Sequence, residues 1–258
     1  MHFTHAIVRA PAPNFAAGVT MAELGAPDVP RALAEHAAYC QALEQCGLTL
    51  SWLPEDAAHP DSTFVEDTAV ITPHVAVLTR PGHPSRLGEA ASIEPALASR
   101  FALQRIVAPG TVDGGDICEA GTHFFIGVAE RTNESGGKQL AAFLDAAGHT
   151  TSLVHFTMGP GLLHLKSGVS WVGGRDLVIV ESLASHPAFA GWNLLRVPVG
   201  EEYAANCVRV NDRVLVPMGF PKTEALLRAH GYDPLPLDMS EFRKMDGGLS
   251  CLSLRFQA

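Results

Sequence analysis

The chain lacks the features that place a protein in a membrane or on nucleic acid. No stretch of its 258 residues reaches the roughly 18 consecutive apolar residues of a membrane helix. Its 18 basic residues against 27 acidic ones give a formal net charge of −9, and no run gathers Lys or Arg into a positive surface. We therefore expect no membrane and no nucleic-acid partner, and instead a small cationic or neutral substrate.

Cysteine is also scarce. The five cysteines, with no CxxC pair among them, disfavour both a zinc knuckle and a disulfide framework. The first residues lack the basic start and apolar run of a secretory signal. These observations predict a protein of the reducing cytoplasm, in which most cysteines are small buried apolar residues and one could be a nucleophile. The cysteines are Cys40, Cys46, Cys118, Cys207 and Cys251.

Charged residues are sparse at 17%, and hydrophobic residues reach 47%, which excludes a disordered chain. The length fits one large domain or two small ones. Because no Pro/Ser-rich linker or charge run marks a boundary, we expect a single domain over residues 1–258. With 24 glycines and 18 prolines, turns should be frequent.

Short apolar strands alternate with amphipathic helices along the chain. Turn signals at 72–74, 173–176 and 211–212 predict hairpins. The third of four predicted helices has Asn133 as its N-cap and ends at Gly148. The helices are predicted at 30–46, 88–101, 133–147 and 222–230, and the strands at 5–10, 64–72, 75–80, 122–129, 151–156, 168–172, 176–180, 194–198, 207–210, 213–217 and 251–256.

Polar residues interrupt the apolar strands at a regular interval of roughly 42–49 residues. Five units of ββαβ content would place these interruptions around one central axis. The alternative is an irregular α/β domain without a repeat. The interruptions lie near Val19-Thr20, Glu66-Asp67, Asp116, His164, Asn206 and Cys251.

Four of the interrupted segments carry residue types that suit chemistry. In residues 60–68, the carboxylates of Asp61, Glu66 and Asp67 could accept the N–H groups of a planar cation, or could pair with an arginine of the chain itself. Two glycines precede Asp116, which could be only a turn. His164 lies on an apolar segment, where a histidine is commonly a core residue, and Cys251 could be inert. Taken together, they supply a nucleophile, a proton shuttle and cation-binding groups.

The assembly resembles the dimethylarginine dimethylaminohydrolases, of the guanidino-group-modifying (pentein) superfamily. The resemblance covers nearly the whole chain and implies a five-bladed α/β propeller, in agreement with the five-unit spacing. It rests on the strings FVEDTAV, APGTVDGGDI, RTNESG, LHLKSG, YAANCVRVN and KMDGGLSCLSLRF, in family order.

The resemblance also implies roles for individual residues. Cys251 matches the nucleophile, His164 the general acid and base, and Asp116 the carboxylate that orients the histidine. Val19 stands where leucine is expected in the lid segment, residues 18–25. For substrate binding, the resemblance implies Asp61, Glu66 and Asp67 around the guanidinium, Arg86 and Arg131 on the amino-acid carboxylate, and the backbone of Val19 and Met245 at the α-amino group.

The implied activity is that of a dimethylargininase, which hydrolyses methylated arginine to citrulline through a covalent thiouronium intermediate. Thiolate attack on a guanidinium carbon needs cation binding, orientation and protonation of the departing amine. No cofactor or metal is expected, because the electrophile is already charged. A homodimer is one expected assembly.

Other functions stay open at this point. An arginine deiminase uses a similar residue set but usually has a longer chain with a helical insertion. Agmatine deiminases need no carboxylate clamp, and amidinotransferases pass the amidino group to an amine. A ribosome-binding propeller factor would have no active site, and a cysteine peptidase would leave the acidic residues without a role.

Overall fold

The computed structural model describes residues 2–257, and within them five three-stranded sheets repeat one plan. In each sheet the first strand pairs antiparallel with the second, and the second pairs parallel with the third. The strands are β1 (His5–Val8), β2 (Thr49–Trp52), β3 (Ala69–Ile71), β4 (Val75–Leu78), β5 (Ala102–Arg105), β6 (Ile117–Ala120), β7 (His123–Val128), β8 (Thr150–His155), β9 (Val169–Gly173), β10 (Asp176–Ile179), β11 (Asn193–Arg196), β12 (Val208–Val210), β13 (Arg213–Pro217), β14 (Asp233–Leu237) and β15 (Leu254–Phe256).

A helix connects the two parallel strands of each sheet, because a parallel pair needs a long crossover. Four sheets use consecutive strands, whereas the fifth joins β15 to β1 and β2, so the end of the chain completes the sheet begun at its start. The five-bladed propeller of ββαβ repeats is confirmed. The helices are α1 (Val29–Gln45), α2 (Glu89–Ala98), α3 (Glu134–Ala146), α4 (Leu165–Gly168), α5 (Glu181–Ala184), α6 (Pro221–Ala229) and α7 (Ser240–Arg243).

The four predicted helices are confirmed within a few residues. The Asn133 side chain accepts a hydrogen bond from Gly136 N at 2.8 Å, as an N-cap does, and Gly148 ends α3 with a φ of 86°. All three predicted hairpins connect antiparallel strands. No helix in residues 2–257 is long and apolar enough to span a membrane.

A short helical turn precedes the first strand of every sheet, and this feature corrects two predicted strands. Residues 64–72 and 251–256 were predicted as continuous strands, but each begins with a turn, because the polar residues there bond to neighbouring turns instead of joining a sheet. Val19-Thr20 does not lie in one of these turns, because the turn that precedes the sheet of β1 and β2 is Ser250–Leu252, near the C-terminal end of the chain. The five turns are Val65–Thr68, Gly114–Asp116, Leu165–Gly168, Glu202–Ala205 and Ser250–Leu252.

Four strands were missed by the sequence pattern: β2, β5, β6 and β14. Three of them are the outer, parallel strand of their sheet, and two of these are largely exposed. The third outer strand, Asp233–Leu237, contains two prolines. The apolar core lies between adjacent sheets and under the helices, while the first strands of neighbouring sheets contact each other, as β6 and β12 do with β9.

Candidate active site

The five turns pack against one another, and most of the predicted site residues meet beside them. Val65–Thr68 contacts Ser250–Leu252 and Gly114–Asp116, and Leu165–Gly168 contacts Gly114–Asp116 and Glu202–Ala205. Eight predicted site residues line one cavity of about 20 Å³, which is room for roughly one water molecule. An amino acid needs far more space, so substrate entry requires the cavity to open. The eight are Val19, Asp61, Asp67, Arg86, Arg131, His164, Met245 and Cys251.

The carboxylate that contacts His164 is that of Asp113. His164 Nε2 donates to Asp113 Oδ2 at 3.0 Å, and both side chains are buried. Asp116, predicted to orient the histidine, does not bond to the imidazole: its Oδ1 accepts from Leu165 N at 3.0 Å and its Oδ2 from Thr132 Oγ1 at 2.6 Å. Asp116 therefore holds the backbone beside His164, and burial raises its pKa to about 6. The repeated aspartate in the segment DGGD was the only sequence signal for Asp113.

His164 lies against a glycine and between carboxylates. A Cβ on Gly115 would approach His164 Nδ1 to 2.7 Å, so only glycine allows the imidazole to lie this close to the backbone. Burial by itself would lower the pKa of His164, but the surrounding carboxylates, with Asp67 the strongest, raise it to about 9. The side chain is therefore an imidazolium at neutral pH and can give a proton to a leaving group.

Cys251 is a buried neutral thiol in the structure. It lies in the turn Ser250–Leu252, where Gly248 N donates to its Sγ at 3.4 Å. Burial, followed by the negative charges of Glu66 and Asp67, raises the pKa of the thiol to about 12. A cation bound in the cavity would oppose these terms and favour the thiolate.

Arg86 lines the cavity but already binds carboxylates of the protein. Its Nη1 donates to Asp67 Oδ2 at 2.5 Å, and its Nε and Nη2 donate to the two oxygens of Glu89 at 2.9 and 2.7 Å. Its Nη2 also donates to the carbonyl oxygens of Asp61 and Phe64. One Nη1 hydrogen is left for a ligand. The close Arg86 and His164 cations hold the pKa of Asp67 at about 2, although burial would raise it.

Arg131 differs from Arg86 because its Nη1 makes no hydrogen bond at all. Its side chain is buried, at 8% exposure, yet its Nη1 donates no hydrogen bond to any described residue. The Oδ2 of Asp113 lies 3.5 Å from Arg131 Nη1, which makes this contact an ion pair. A buried cation with an unfilled donor beside a cavity is suited to bind an anion.

The lid segment is held over the cavity by two carboxylates. Val19 N lies 3.1 Å from both oxygens of Asp61. Asp246, which the sequence reasoning did not single out, accepts from Thr20 Oγ1 at 3.0 Å and from Met21 N at 2.5 Å through its Oδ2. Burial raises the pKa of Asp61. The Asp61 carboxylate, which already contacts Val19 of the lid segment, could also accept a hydrogen bond from a substrate amino group bound near it.

The Glu66 carboxylate, predicted to lie around the guanidinium, does not line this cavity in the structure. It contacts Lys166 and Ser250, with the Ser250 hydroxyl donating to Oε2 at 2.8 Å, and it lies 3.4 Å from Arg255 Nη2. These residues face a second cavity, the axial channel, which is lined by the first strands of the five sheets. Its other charged residues are Glu119 and Arg209.

Asp67, Asp113 and His164 have donor atoms within 4.8 Å of one another, a spacing that could suit a metal ion. Two arginine cations lie against the same carboxylates, at 2.5 Å for Arg86 on Asp67 and 3.5 Å for Arg131 on Asp113. These positive charges would repel a metal ion. The group is better suited to hold an imidazolium.

No family model matches the chain, but solved structures define its class. The N-terminal domain of ArgZ, described as an arginine dihydrolase from cyanobacteria, superposes with a TM-score of 0.87 at 17% identity, covering 98% of both chains. A likeness at this identity shows the fold alone. The fold class is that of the penteins, five-bladed propellers of ββαβ repeats.

Relatives of higher identity define the family. The curated N(G),N(G)-dimethylarginine dimethylaminohydrolase of Pseudomonas aeruginosa is 42% identical over 256 residues, covering 98% of this chain and all of that protein. The Streptomyces coelicolor enzyme of the same name is 37% identical, covering 98% and 96%. A cysteine-to-serine mutant of the Pseudomonas enzyme, complexed with citrulline, superposes with a TM-score of 0.95 at 41% identity, covering 99% and 100%. The chain belongs to the dimethylarginine dimethylaminohydrolase family.

Proposed function

We propose that the chain hydrolyses Nω,Nω-dimethyl-L-arginine to L-citrulline and dimethylamine, and Nω-monomethyl-L-arginine to citrulline and methylamine, with Cys251 as nucleophile. The observation that supports this assignment best is one buried cavity that combines a thiol, an imidazolium and a buried arginine with an unfilled donor. The family membership and the citrulline complex of the Pseudomonas relative support the same reaction.

Substrate binding uses opposite charges at the two ends of the molecule. Asp67, held ionised by Arg86, faces the guanidinium, while Asp61 and the backbone of Val19 and Met245 lie near the α-amino group. Arg131 binds the α-carboxylate through its unfilled Nη1 donor. Arg86 adds its one remaining Nη1 hydrogen.

Catalysis begins when the bound guanidinium lowers the pKa of the Cys251 thiol, which loses its proton to solvent. The thiolate forms a bond to the guanidinium carbon, and the bond from that carbon to the dimethylated nitrogen breaks as His164 gives its proton to the amine. The product of this step is a thiouronium covalently bound to Cys251. Water then attacks the same carbon and gives one proton to His164; the carbon–sulfur bond breaks, the second proton of the water passes to the departing Cys251 sulfur, and citrulline is released.

Asp113 and Asp116 orient the histidine in two different ways. Asp113 bonds to the imidazole itself, whereas Asp116 fixes the amide of the next residue, Leu165. The negative charge of Asp113 also supports the imidazolium form. A histidine fixed in this way can serve both half-reactions without turning away from the substrate.

The assay compares dimethylarginine, monomethylarginine and unmodified arginine, with citrulline measured for each and Cys251→Ser as the matched control. We expect citrulline and dimethylamine in equal amounts from dimethylarginine, and no turnover by the serine variant, because a hydroxyl is hardly ionised at neutral pH. Faster turnover of unmodified arginine would support an arginine deiminase instead. Absence of citrulline from all three would overturn the proposed function.

Cellular location and assembly stay predictions. The five cysteines are free thiols, which suits the reducing cytoplasm, and we propose that location. The proposed assembly is a homodimer. Fractionation and sedimentation velocity test the two predictions separately. Electrophoretic mobility with DNA and RNA tests the expected lack of nucleic-acid binding.

A further inference from the structure

The turn that precedes the fourth sheet, Glu202–Ala205, contributes no residue to the lining of the cavity that holds His164 and Cys251, which we call the substrate cavity. The turn nevertheless contacts the segment that carries the nucleophile. Asn206 directly follows this turn and is buried at 6% exposure. Its Nδ2 donates to Ser250 Oγ at 3.2 Å, and its Oδ1 accepts from Ser250 N at 3.1 Å. One amide side chain thus fixes both the backbone and the hydroxyl of the residue beside Cys251.

Two more contacts join this turn to the nucleophile segment. Tyr203 Oη donates to the Gly247 carbonyl at 2.7 Å. A Cβ on Gly248 would lie 2.5 Å from Asn206 Cγ, so the glycine lets the backbone approach the amide closely. The N–H of that same Gly248 donates to Cys251 Sγ at 3.4 Å. The positions of Cys251 Sγ and of the Gly248 N–H that donates to it therefore depend on how the backbone packs against the Asn206 side chain.

We propose that Asn206 is a positioning residue for Cys251, acting through Ser250 and Gly248 to hold the sulfur in line with the bound guanidinium. The inference rests on the proposed function, since it concerns the reaction of Cys251. The Asn206 side chain bonds to Ser250 and makes no hydrogen bond to either of the cavity residues His164 and Cys251. Its amide also directs the Ser250 hydroxyl toward Glu66, which links the nucleophile segment to the axial channel.

The test compares Asn206→Ala, Ser250→Ala and the double variant, with Asn193→Ala as the matched control. Asn193 lies exposed on β11, where its Nδ2 donates to Asp176 Oδ1. The measurements are kcat and KM for dimethylarginine, thermal unfolding, and the pH profile of Cys251 alkylation by iodoacetamide. The charged residues that affect the pKa of the Cys251 thiol most are Glu66, Asp67 and Lys166. None of these three residues is substituted in the variants.

We expect Asn206→Ala to lower kcat by about 10- to 100-fold with little change in KM, because a misplaced reacting atom costs rate more than binding. The alkylation profile should move, since the sulfur loses its fixed relation to the Gly248 N–H. The double variant should lose little more than Asn206→Ala alone, as for two residues of one network. The Asn193→Ala control should match the unaltered protein in all measurements.

An Asn206→Ala variant with an ordinary kcat and alkylation profile, even if less stable, would overturn the inference and leave Asn206 a structural residue. If this variant does not fold, Asn206→Ser decides: it removes the amide bonds to Ser250 without adding a charge, and an unchanged kcat and alkylation profile would equally overturn the inference. Failure of the proposed function is recognised separately, because the unaltered protein would then form no citrulline.

Discussion

Glu66 and Asp67 are neighbours in the sequence but serve two different regions of the molecule. The Asp67 carboxylate faces the substrate cavity, where it accepts from Arg86 and from Gly115 N. The Glu66 carboxylate faces the axial channel and pairs with Lys166 and Arg255. Both are buried and both lie on the same short helical turn. Burial and charge alone therefore do not decide which of two neighbouring carboxylates faces this cavity and which faces the axial channel.

The regions differ in their buried donors: among the described residues, a buried arginine nitrogen without a hydrogen bond lines the substrate cavity, and none lines the axial channel. In the axial channel, the cations of Lys166 and Arg255 both contact Glu66. In the substrate cavity, Arg131 retains an unfilled donor and the Cys251 thiol is un-ionised despite the nearby imidazolium. The cavity is thus prepared for a ligand that carries both a cation and an anion, and the channel holds the turns together.

The largest expected effect separates the two regions at His164. His164→Gly should lower turnover of dimethylarginine by roughly 10²–10⁴-fold, because the general acid and base of the cavity is removed. Steady-state citrulline formation is the measurement. His155→Gly, which removes a histidine exposed on the outer surface, is the control and should leave turnover unchanged. Ordinary turnover by His164→Gly would return this residue to the role of a core histidine.

The two arginines of the cavity should differ in stability and binding. Arg86→Ala should lower the free energy of unfolding by about 3–5 kcal/mol, because Asp67 and Glu89 are left buried without a partner. Arg131→Ala should raise KM for dimethylarginine by roughly 10–100-fold with a smaller loss of stability, since its Nη1 makes no hydrogen bond and only a 3.5 Å ion pair with Asp113. Urea unfolding and steady-state kinetics test the pair. Equal effects of Arg131→Ala on substrates with and without a carboxylate would contradict its assignment.

The pH dependence of stability should reveal the carboxylates around His164. Its pKa is about 9 in the folded protein against an ordinary value of 6.5, so its contribution to stability is complete below pH 6.5 and is lost as pH rises through 9. The facing titratable groups are Asp67, Asp113 and Asp116. Between pH 6.5 and pH 9, the free energy of unfolding of the unaltered protein should fall by on the order of 3 kcal/mol more than that of His164→Asn. Parallel unfolding curves over this window would contradict the shift.

The smallest expected effect belongs to the axial channel. Glu66→Gln should leave KM for dimethylarginine unchanged, because the side chain does not line the substrate cavity. It should lower stability by about 1–3 kcal/mol, since Lys166 and Arg255 lose a charged partner. Kinetics and thermal unfolding test both statements. A KM increase as large as that of Arg131→Ala would restore Glu66 as a residue around the guanidinium.

The repeat and most of the helices could be predicted from the sequence because they depend on local signals. Asn133 caps α3, Gly148 ends it, and polar interruptions recur once per sheet. The directions of side chains on the short turns could not be predicted. Asp113 and Asp116 are both plausible partners of His164, and only the packing of the turns decides between their oxygens.

The roles of Glu66 and Arg86 show the same limit. A sequence gives the carboxylates and arginines but not their pairing. An arginine partner for the carboxylates of residues 60–68 was one of two alternatives, and the structure places Arg86 on Asp67 and on Glu89. Asn206 carries no charge and lies outside the cavity, although it belongs to one of the strings that carry the family resemblance. Its contact with Ser250 joins residues 44 positions apart, which only the closed ring brings together.

Intact-mass spectrometry of His164→Gly quenched during incubation with dimethylarginine tests the central claim most directly. The variant retains the Cys251 thiol but lacks the group that activates water, so an intermediate that still forms should accumulate. The account predicts a mass increase equal to dimethylarginine less dimethylamine, located on Cys251 by peptide mapping and absent from a Cys251→Ser protein. The same mass on another residue, or an adduct that persists in Cys251→Ser, would contradict the assignment of the nucleophile.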